Sequence, residues 1–197
     1  FGLSQTIREM IPGARVVYYF ADLVALDQRK QQLLRSGTPD LIFSYDKGDA
    51  QRYHLLQHDL PYSDLQKNDS DQHIEYDVCL IAKAKGRLPQ ILEAYTYLTQ
   101  QGFRCGFWIT EVPKNQQQYS DQICYCDAMT YDDCMKIVSK SKCVLEIVQE
   151  GSAGNTLRVN EVLAFNKILI TNNPNIVNSE SYDPRYMFYY THIQQLD

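Results

Sequence analysis

The chain has 197 residues, 44% hydrophobic and 22% charged, which is globular composition with room for one ordinary domain or two small ones. Disordered, collagen-like and small disulfide-scaffold classes are therefore excluded, and no apolar run approaches the roughly 20 residues that span a bilayer. Nineteen Lys and Arg against 24 Asp and Glu leave a formal charge of −5. A dedicated nucleic-acid binder should show a basic footprint, so the expectation is no nucleic-acid partner; a local basic pocket for a phosphorylated small molecule remains open.

In chain order, Ser4 to Ile11 reads as a short helix stopped by Pro12-Gly13. Arg15 to Phe20 is β-branched and aromatic, a strand. Asp27 to Arg35 reads as a helix closed by Gly37, Asp40 to Tyr45 as a second strand, Asp46 to Tyr53 as a helical turn and His54 to His58 as a third short strand. Ser63 to Glu75 is polar without an apolar period, the best linker candidate. Tyr76 to Ala82 is a buried-strand run. Leu88 to Gln101 carries Leu88, Ile91, Leu92, Tyr95 and Leu98 near helical spacing. Phe103 to Val112 and Ile123 to Cys126 read as strands around a Gln-rich loop. Thr130 should cap a helix running to Ser141, with Asp133 completing an imperfect capping box. Cys143 to Val148, Lys167 to Thr171 and Tyr186 to Tyr190 read as strands, and Thr156 to Phe165 as a helix. Strand–helix alternation of this kind predicts parallel sheets in a doubly wound α/β fold.

Six cysteines lack a C-x-x-C pair and lie mostly in apolar runs, so they read as reduced, buried thiols of a cytoplasmic protein. With no paired His motif nearby, no metal site is expected. Ser152 is not in a G-x-S-x-G elbow. The Lys83 and Lys85 cations stand where a receiver-type signalling domain needs acids. The four histidines are scattered, and the tyrosines around Tyr186 read as sheet-edge packing. The chain starts at Phe1 and stops within a running pattern, which reads as a piece of a larger protein.

Ligands of open α/β sheets bind beyond the carboxyl ends of the strands. Two post-strand loops have the chemistry for a phosphate. Lys83-Ala84-Lys85-Gly86-Arg87 clusters three cations at a helix start, with Gly86 permitting close backbone approach. It is neither a Walker loop nor a G-x-G-x-x-G fingerprint, and a solvated basic turn is the plainer alternative. Glu150 to Asn155 is a small-residue loop entering a helix, where amides near Asn155 and Thr156 can meet an anion. Arg158 and Glu161 share one face of that helix. The Arg158 fork suits phosphate oxygens, and the Glu161 carboxylate suits a vicinal diol. The alternative is a surface ion pair worth under about 1 kcal/mol.

The stretch E-G-S-A-G-N-T-L-R-V-N-E-V-L-A-F-N-K-I-L-I-T-N-N resembles the nucleotide-sugar-binding segment of GT-B-fold glycosyltransferases, particularly a bacterial subgroup of capsule and lipopolysaccharide biosynthesis. F-S-Y-D-K-G-D-A-Q-R-Y, at Phe43 to Tyr53, resembles the segment that closes the subgroup's N-terminal lobe. The resemblance implies two Rossmann-like lobes: residues 1–64 as an incomplete, acceptor-side lobe lacking its opening strands, and 65–197 as the nucleotide-sugar-binding lobe.

It further implies that Glu161 binds the donor ribose and that Arg158 and the amides of Gly154, Asn155 and Thr156 face the diphosphate. The segment Lys83 to Arg87, including Lys85 and Gly86, is the opposing glycine loop. Arg158 and Lys83 are the catalytic candidates, stabilising the leaving diphosphate without a required cofactor or metal. Glu150 and Glu161 are eleven apart, so Glu150 is not equated with the sugar-contacting acid of retaining enzymes. Asp22 and Asp46 read as structural. The implied reaction moves a sugar from a nucleoside-diphosphate sugar to a carbohydrate or lipid-linked acceptor, a polysaccharide or lipopolysaccharide precursor, in the cytoplasm or with peripheral contact at the inner membrane face. The alternative is a truncated, non-catalytic binding or assembly module.

Overall fold

The computed structural model describes residues 2–62 and 73–196. The linker candidate at Ser63 to Glu75 and the 64/65 boundary fall largely or wholly outside them. By contacts the chain divides into two units: residues up to Pro61 together with Gly151–Asn155, and Tyr62–Glu150 together with Thr156–Asp197.

The first unit is a partial Rossmann-like fold. Strands β1 (Val17–Phe20), β2 (Leu41–Ser44) and β3 (Leu56–Gln57) form a parallel sheet in that order. Helices α1 (Gly2–Met10), α2 (Gln28–Ser36) and α3 (Lys47–Tyr53) alternate with them. Asp27 caps α2 through the Arg29 amide, and Gly37, at φ 62°, ends it in the left-handed conformation. Asp46 caps α3 through the Asp49 amide. The Asp49 carboxylate in turn accepts from the Val24 amide at 2.6 Å.

The second unit is a six-stranded parallel sheet. Its strands are β4 (Tyr76–Lys83), β5 (Cys105–Thr110), β6 (Cys124–Cys126), β7 (Ser141–Glu146), β8 (Ile168–Thr171) and β9 (Met187–Tyr189), in the order β6-β5-β4-β7-β8-β9. Numbered within the sheet, that is 3-2-1-4-5-6, the doubly wound order whose direction reverses between β4 and β7. Helix α4 (Leu88–Gln100) covers one face, with Ile91, Tyr95 and Leu98 on Leu80, Phe107 and Leu145. Helices α5 (Tyr131–Ser139) and α6 (Leu157–Ala164) cover the other, with Val138, Val159 and Val162 on Cys79, Val144 and Leu169. Gly106 is required by close packing: a Cβ there would meet the Tyr76 and Trp108 rings at 2.7 Å.

The elements follow the sequence expectation closely, with β7 starting two residues earlier because Ser141 already pairs with Tyr76. Thr130 caps α5 as expected: its hydroxyl accepts from the Asp133 amide and donates to the Asp133 carboxylate. All six cysteines are free. Among the described residues, no group of His, Cys, Asp and Glu has a metal-holding arrangement, and no helix is long and apolar enough to cross a membrane.

Candidate functional site

In the second unit, the carboxyl ends of β4 and β7 lie side by side where the strand order reverses. Helix α6 starts just beyond β7, and its first turns carry the polar groups. Thr156 is its N-cap, accepting from the Arg158 amide at 3.1 Å. The Thr156 hydroxyl donates to Glu146, the last residue of β7. The other Glu146 oxygen accepts from the Thr171 hydroxyl at the end of β8. One buried acid thus ties two strand ends to the start of α6.

Burial raises the Glu146 pKa above the ordinary glutamate value. The two hydroxyl bonds and Arg158 oppose that rise, and the Glu161 charge adds to it. The sequence carried one sign of this group, a single charge inside the apolar run Cys143 to Val148; its partners, ten and 25 residues away, carried none.

Arg158 and Glu161 meet as their i, i+3 spacing requires, but they do not form a surface pair. The Glu161 side chain is 3% exposed and that of Arg158 19%. The Arg158 guanidinium donates to Glu161 and, at 3.0 Å, to the Ile81 carbonyl of β4. It therefore spans the switch point from α6 to β4. Burial, and the Glu161 carboxylate near the Tyr131 hydroxyl at the start of α5, push the Tyr131 pKa up to about 12. In the sequence, Tyr131 is marked only as the opening of a helix after the Thr130 cap.

The Lys83–Arg87 turn is compact and conformationally unusual. Lys85 has φ 42° and Gly86 φ 80°; a non-glycine residue at positive φ stores local strain of a kind that gathers at functional sites. Lys83 pairs with Glu111 at 2.7 Å on the exposed surface. Arg87 turns inward: its guanidinium donates to the carbonyls of Lys83, Ala84 and Ile147, the last just past the end of β7. Burial lowers its pKa, opposed by the Glu146 charge. Arg87 is thus a strut from the β4 turn to β7, and the exposed cations of the turn are Lys83 and Lys85. Beyond the carboxyl ends of β5 and β6 lies an open cleft of about 320 Å³, lined by Glu111, Gln117, Tyr125 and Asp127 among others.

The loop before α6 belongs by its contacts to the first unit. There Gly154 packs so closely on Tyr45 that a Cβ would stand 2.8 Å from the Tyr45 carbonyl oxygen. The Gly154 amide donates to Asp46 Oδ2. Glu150, just before the loop, is exposed.

The fold so described is that of GT-B glycosyltransferases, α/β with Rossmann-like parallel sheets. No protein-family model and no curated sequence matches the chain. Solved structures do. An α-glucosyltransferase in complex with UDP and a 13-mer DNA containing a central A:G mismatch aligns at TM-score 0.59 and 13% identity, covering 87% of this chain and 56% of its own. The α-glucosyltransferase with UDP-glucose and DNA containing an abasic site aligns at 0.56 and 13%, covering 86% and 55%. The T4 phage BGT in complex with its UDP-glucose substrate aligns at 0.53 and 13%, covering 93% and 62%. The chain thus spans a little over half the length of these proteins.

One sequence expectation is overturned here. Two of these structures hold DNA beside UDP or UDP-glucose, so a formal charge of −5 does not exclude a nucleic-acid partner on this fold. Net charge averages over the whole chain, whereas phosphate recognition depends on the local field.

Proposed function

We propose that the second unit is the donor lobe of a GT-B-type glycosyltransferase, holding a nucleoside-diphosphate sugar at the β4/β7 switch point. In this reading residues 65–197 supply the donor lobe and residues 1–64 the acceptor-side lobe. The observation that carries it is the Arg158–Glu161 pair, largely buried and anchored to the Ile81 carbonyl where the strand order reverses. Glu161 takes the ribose hydroxyls, exchanging a protein partner for the diol. Arg158 and the Thr156 end of α6 take the diphosphate, aided by the helix dipole. Lys83 and Lys85 approach from the facing turn, with Gly86 giving the backbone room. The cleft past β5 and β6 offers polar groups to a base edge.

Arg158 and Lys83 then stabilise the charge that develops on the leaving diphosphate, work that preorganised cations do without a proton transfer. The six free thiols suit a reducing cytoplasm. The acceptor in the first reading is a polysaccharide or lipopolysaccharide precursor. The second reading, favoured by the DNA held in two structures of this fold, is a nucleic-acid acceptor.

The test is nucleotide binding followed by transfer. Calorimetry with UDP, GDP and CDP establishes the donor, and labelled sugar transfer is then read in parallel on carbohydrate acceptors and duplex DNA. Label on one acceptor class selects between the two readings. Saturable binding without transfer or hydrolysis selects a non-catalytic binding module. A folded chain that binds none of the diphosphates refutes the proposal.

A further inference from the structure

The resemblance implies that the Gly154 amide faces a ligand's phosphate, but in the structure that amide already has an anion. Asp46 is 1% exposed. Its Oδ2 accepts from two successive backbone amides, Ala153 at 2.5 Å and Gly154 at 2.8 Å, while Oδ1 accepts from the Asp49 amide at 2.9 Å. Two adjacent N–H groups aimed at one oxygen make a backbone recess of the kind that binds anions. Here a carboxylate from 107 residues earlier in the chain fills it.

The surroundings are shaped to this arrangement. A Cβ on Gly154 would meet the Tyr45 carbonyl oxygen at 2.8 Å and the Asp46 Cα at 3.0 Å. A Cβ on Gly48 would stand 3.1 Å from Asp46 Oδ1 and 3.4 Å from the Ala153 Cβ. The two glycines on either side of the carboxylate therefore leave the loop and α3 room to close on it. Asp49, also buried, has its pKa raised by desolvation and by the neighbouring Asp46 charge.

We infer that Asp46 is an internal anion that fixes loop 151–155 in its shape before any ligand binds, and that it bars the Ala153 and Gly154 amides from a ligand's phosphate oxygens. Asp46 is then a positioning residue. Naming that ligand a nucleoside diphosphate rests on the proposed function; the occupancy of the two amides does not. The consequence for the donor site is that its diphosphate is met by Arg158, Lys83, Lys85 and the Thr156 and Leu157 amides at the start of α6, not by the glycine loop itself.

The experiment uses the whole ¹⁵N-labelled chain and small anions in place of nucleotide. Asp46→Ala leaves a carboxylate-sized gap facing two amides. Formate, the size of the group removed, should enter it, shift the Ala153 and Gly154 resonances saturably, and restore at least half of the lost thermal midpoint, whereas chloride at equal ionic strength should not. In the wild type the same two resonances should stay fixed across the same formate range.

If Asp46→Ala does not fold, Asp46→Asn keeps the shape and removes the charge. Hydrogen exchange at Ala153 and Gly154 should then speed up by about tenfold, the scale of losing charge assistance from a buried hydrogen bond. Wild-type resonances of Ala153 and Gly154 that move with formate, a gap that formate does not fill, or unchanged exchange in Asp46→Asn would each overturn the inference. A chain that binds no nucleotide would count against the donor-lobe reading alone, because none of these readouts contains a nucleotide.

Discussion

Glu146 offers a sharp test of how the start of α6 is held. Glu146→Ala leaves the Thr156 and Thr171 hydroxyls without their acceptor. A buried hydroxyl without its acceptor costs about 1–3 kcal/mol; Thr171 is buried and Thr156 half-buried, so the loss is about 2–3 kcal/mol before any cavity is counted. Glu146→Gln is milder. Its carbonyl oxygen accepts from one threonine, but its amide leaves the other hydroxyl proton unpaired, a loss of about 1 kcal/mol.

The two variants also differ in pH dependence. The folded-state pKa of Glu146 is raised above its ordinary value of 4.5. The stability held by its proton is therefore fully present below the unfolded pKa and is lost as pH rises through the folded one. Glutamine does not titrate, so the gap between wild type and Glu146→Gln should narrow as pH rises from 4 toward 8. Urea unfolding followed by tryptophan fluorescence reads this, since Trp108 lies in the same sheet and packs against its core. Glu146→Ala within about 0.5 kcal/mol of wild type, or a Glu146→Gln gap that does not change with pH, would refute the account of this acid.

Other expectations bear on the ligand. Glu161→Gln should weaken nucleoside and nucleoside diphosphate alike by about 1–3 kcal/mol, the scale of lost charged hydrogen bonds; it is preferred to alanine because Glu161 is buried against Arg158, and calorimetry reads it. Arg158→Lys keeps a cation beside Glu161 but loses the planar fork. It should cost diphosphates about tenfold in affinity and leave nucleosides nearly unchanged, and equal losses would assign Arg158 to packing. Gly106→Ala should destabilise the sheet by about 1–3 kcal/mol through overpacking on Tyr76 and Trp108, read as a lower unfolding midpoint.

Much of the architecture is legible in the sequence because each element carries its own signal. The β4 run Tyr76 to Ala82, the helical spacing from Leu88 to Leu98 and the Thr130 cap are all local patterns. The Arg158–Glu161 pairing is local too, a consequence of i, i+3 geometry. What a linear reading cannot supply is burial and distant partnership. It leaves a surface ion pair as the alternative for residues that are in fact largely buried, with Arg158 bonded to the Ile81 carbonyl. It counts Arg87 among three phosphate cations, whereas carbonyls at the ends of β4 and β7 take that guanidinium. The resemblance offers the Gly154 amide to a phosphate, and nothing local corrects it because Asp46, which takes that amide, lies 108 positions away. The nucleic-acid exclusion fails for a related reason, since a formal charge summed over 197 residues says nothing about one surface.

The central claim is that the β4/β7 switch point binds a nucleoside diphosphate through Arg158 and Glu161. Calorimetric titration of UDP into the wild-type chain and into Glu161→Gln, first without metal and then with magnesium, tests it most directly. The account predicts saturable binding by the wild type that falls by about 1–3 kcal/mol in the variant, with both proteins folded. Folded wild type that gives no heat with UDP, GDP or CDP, or a variant that binds as tightly as wild type, would contradict it.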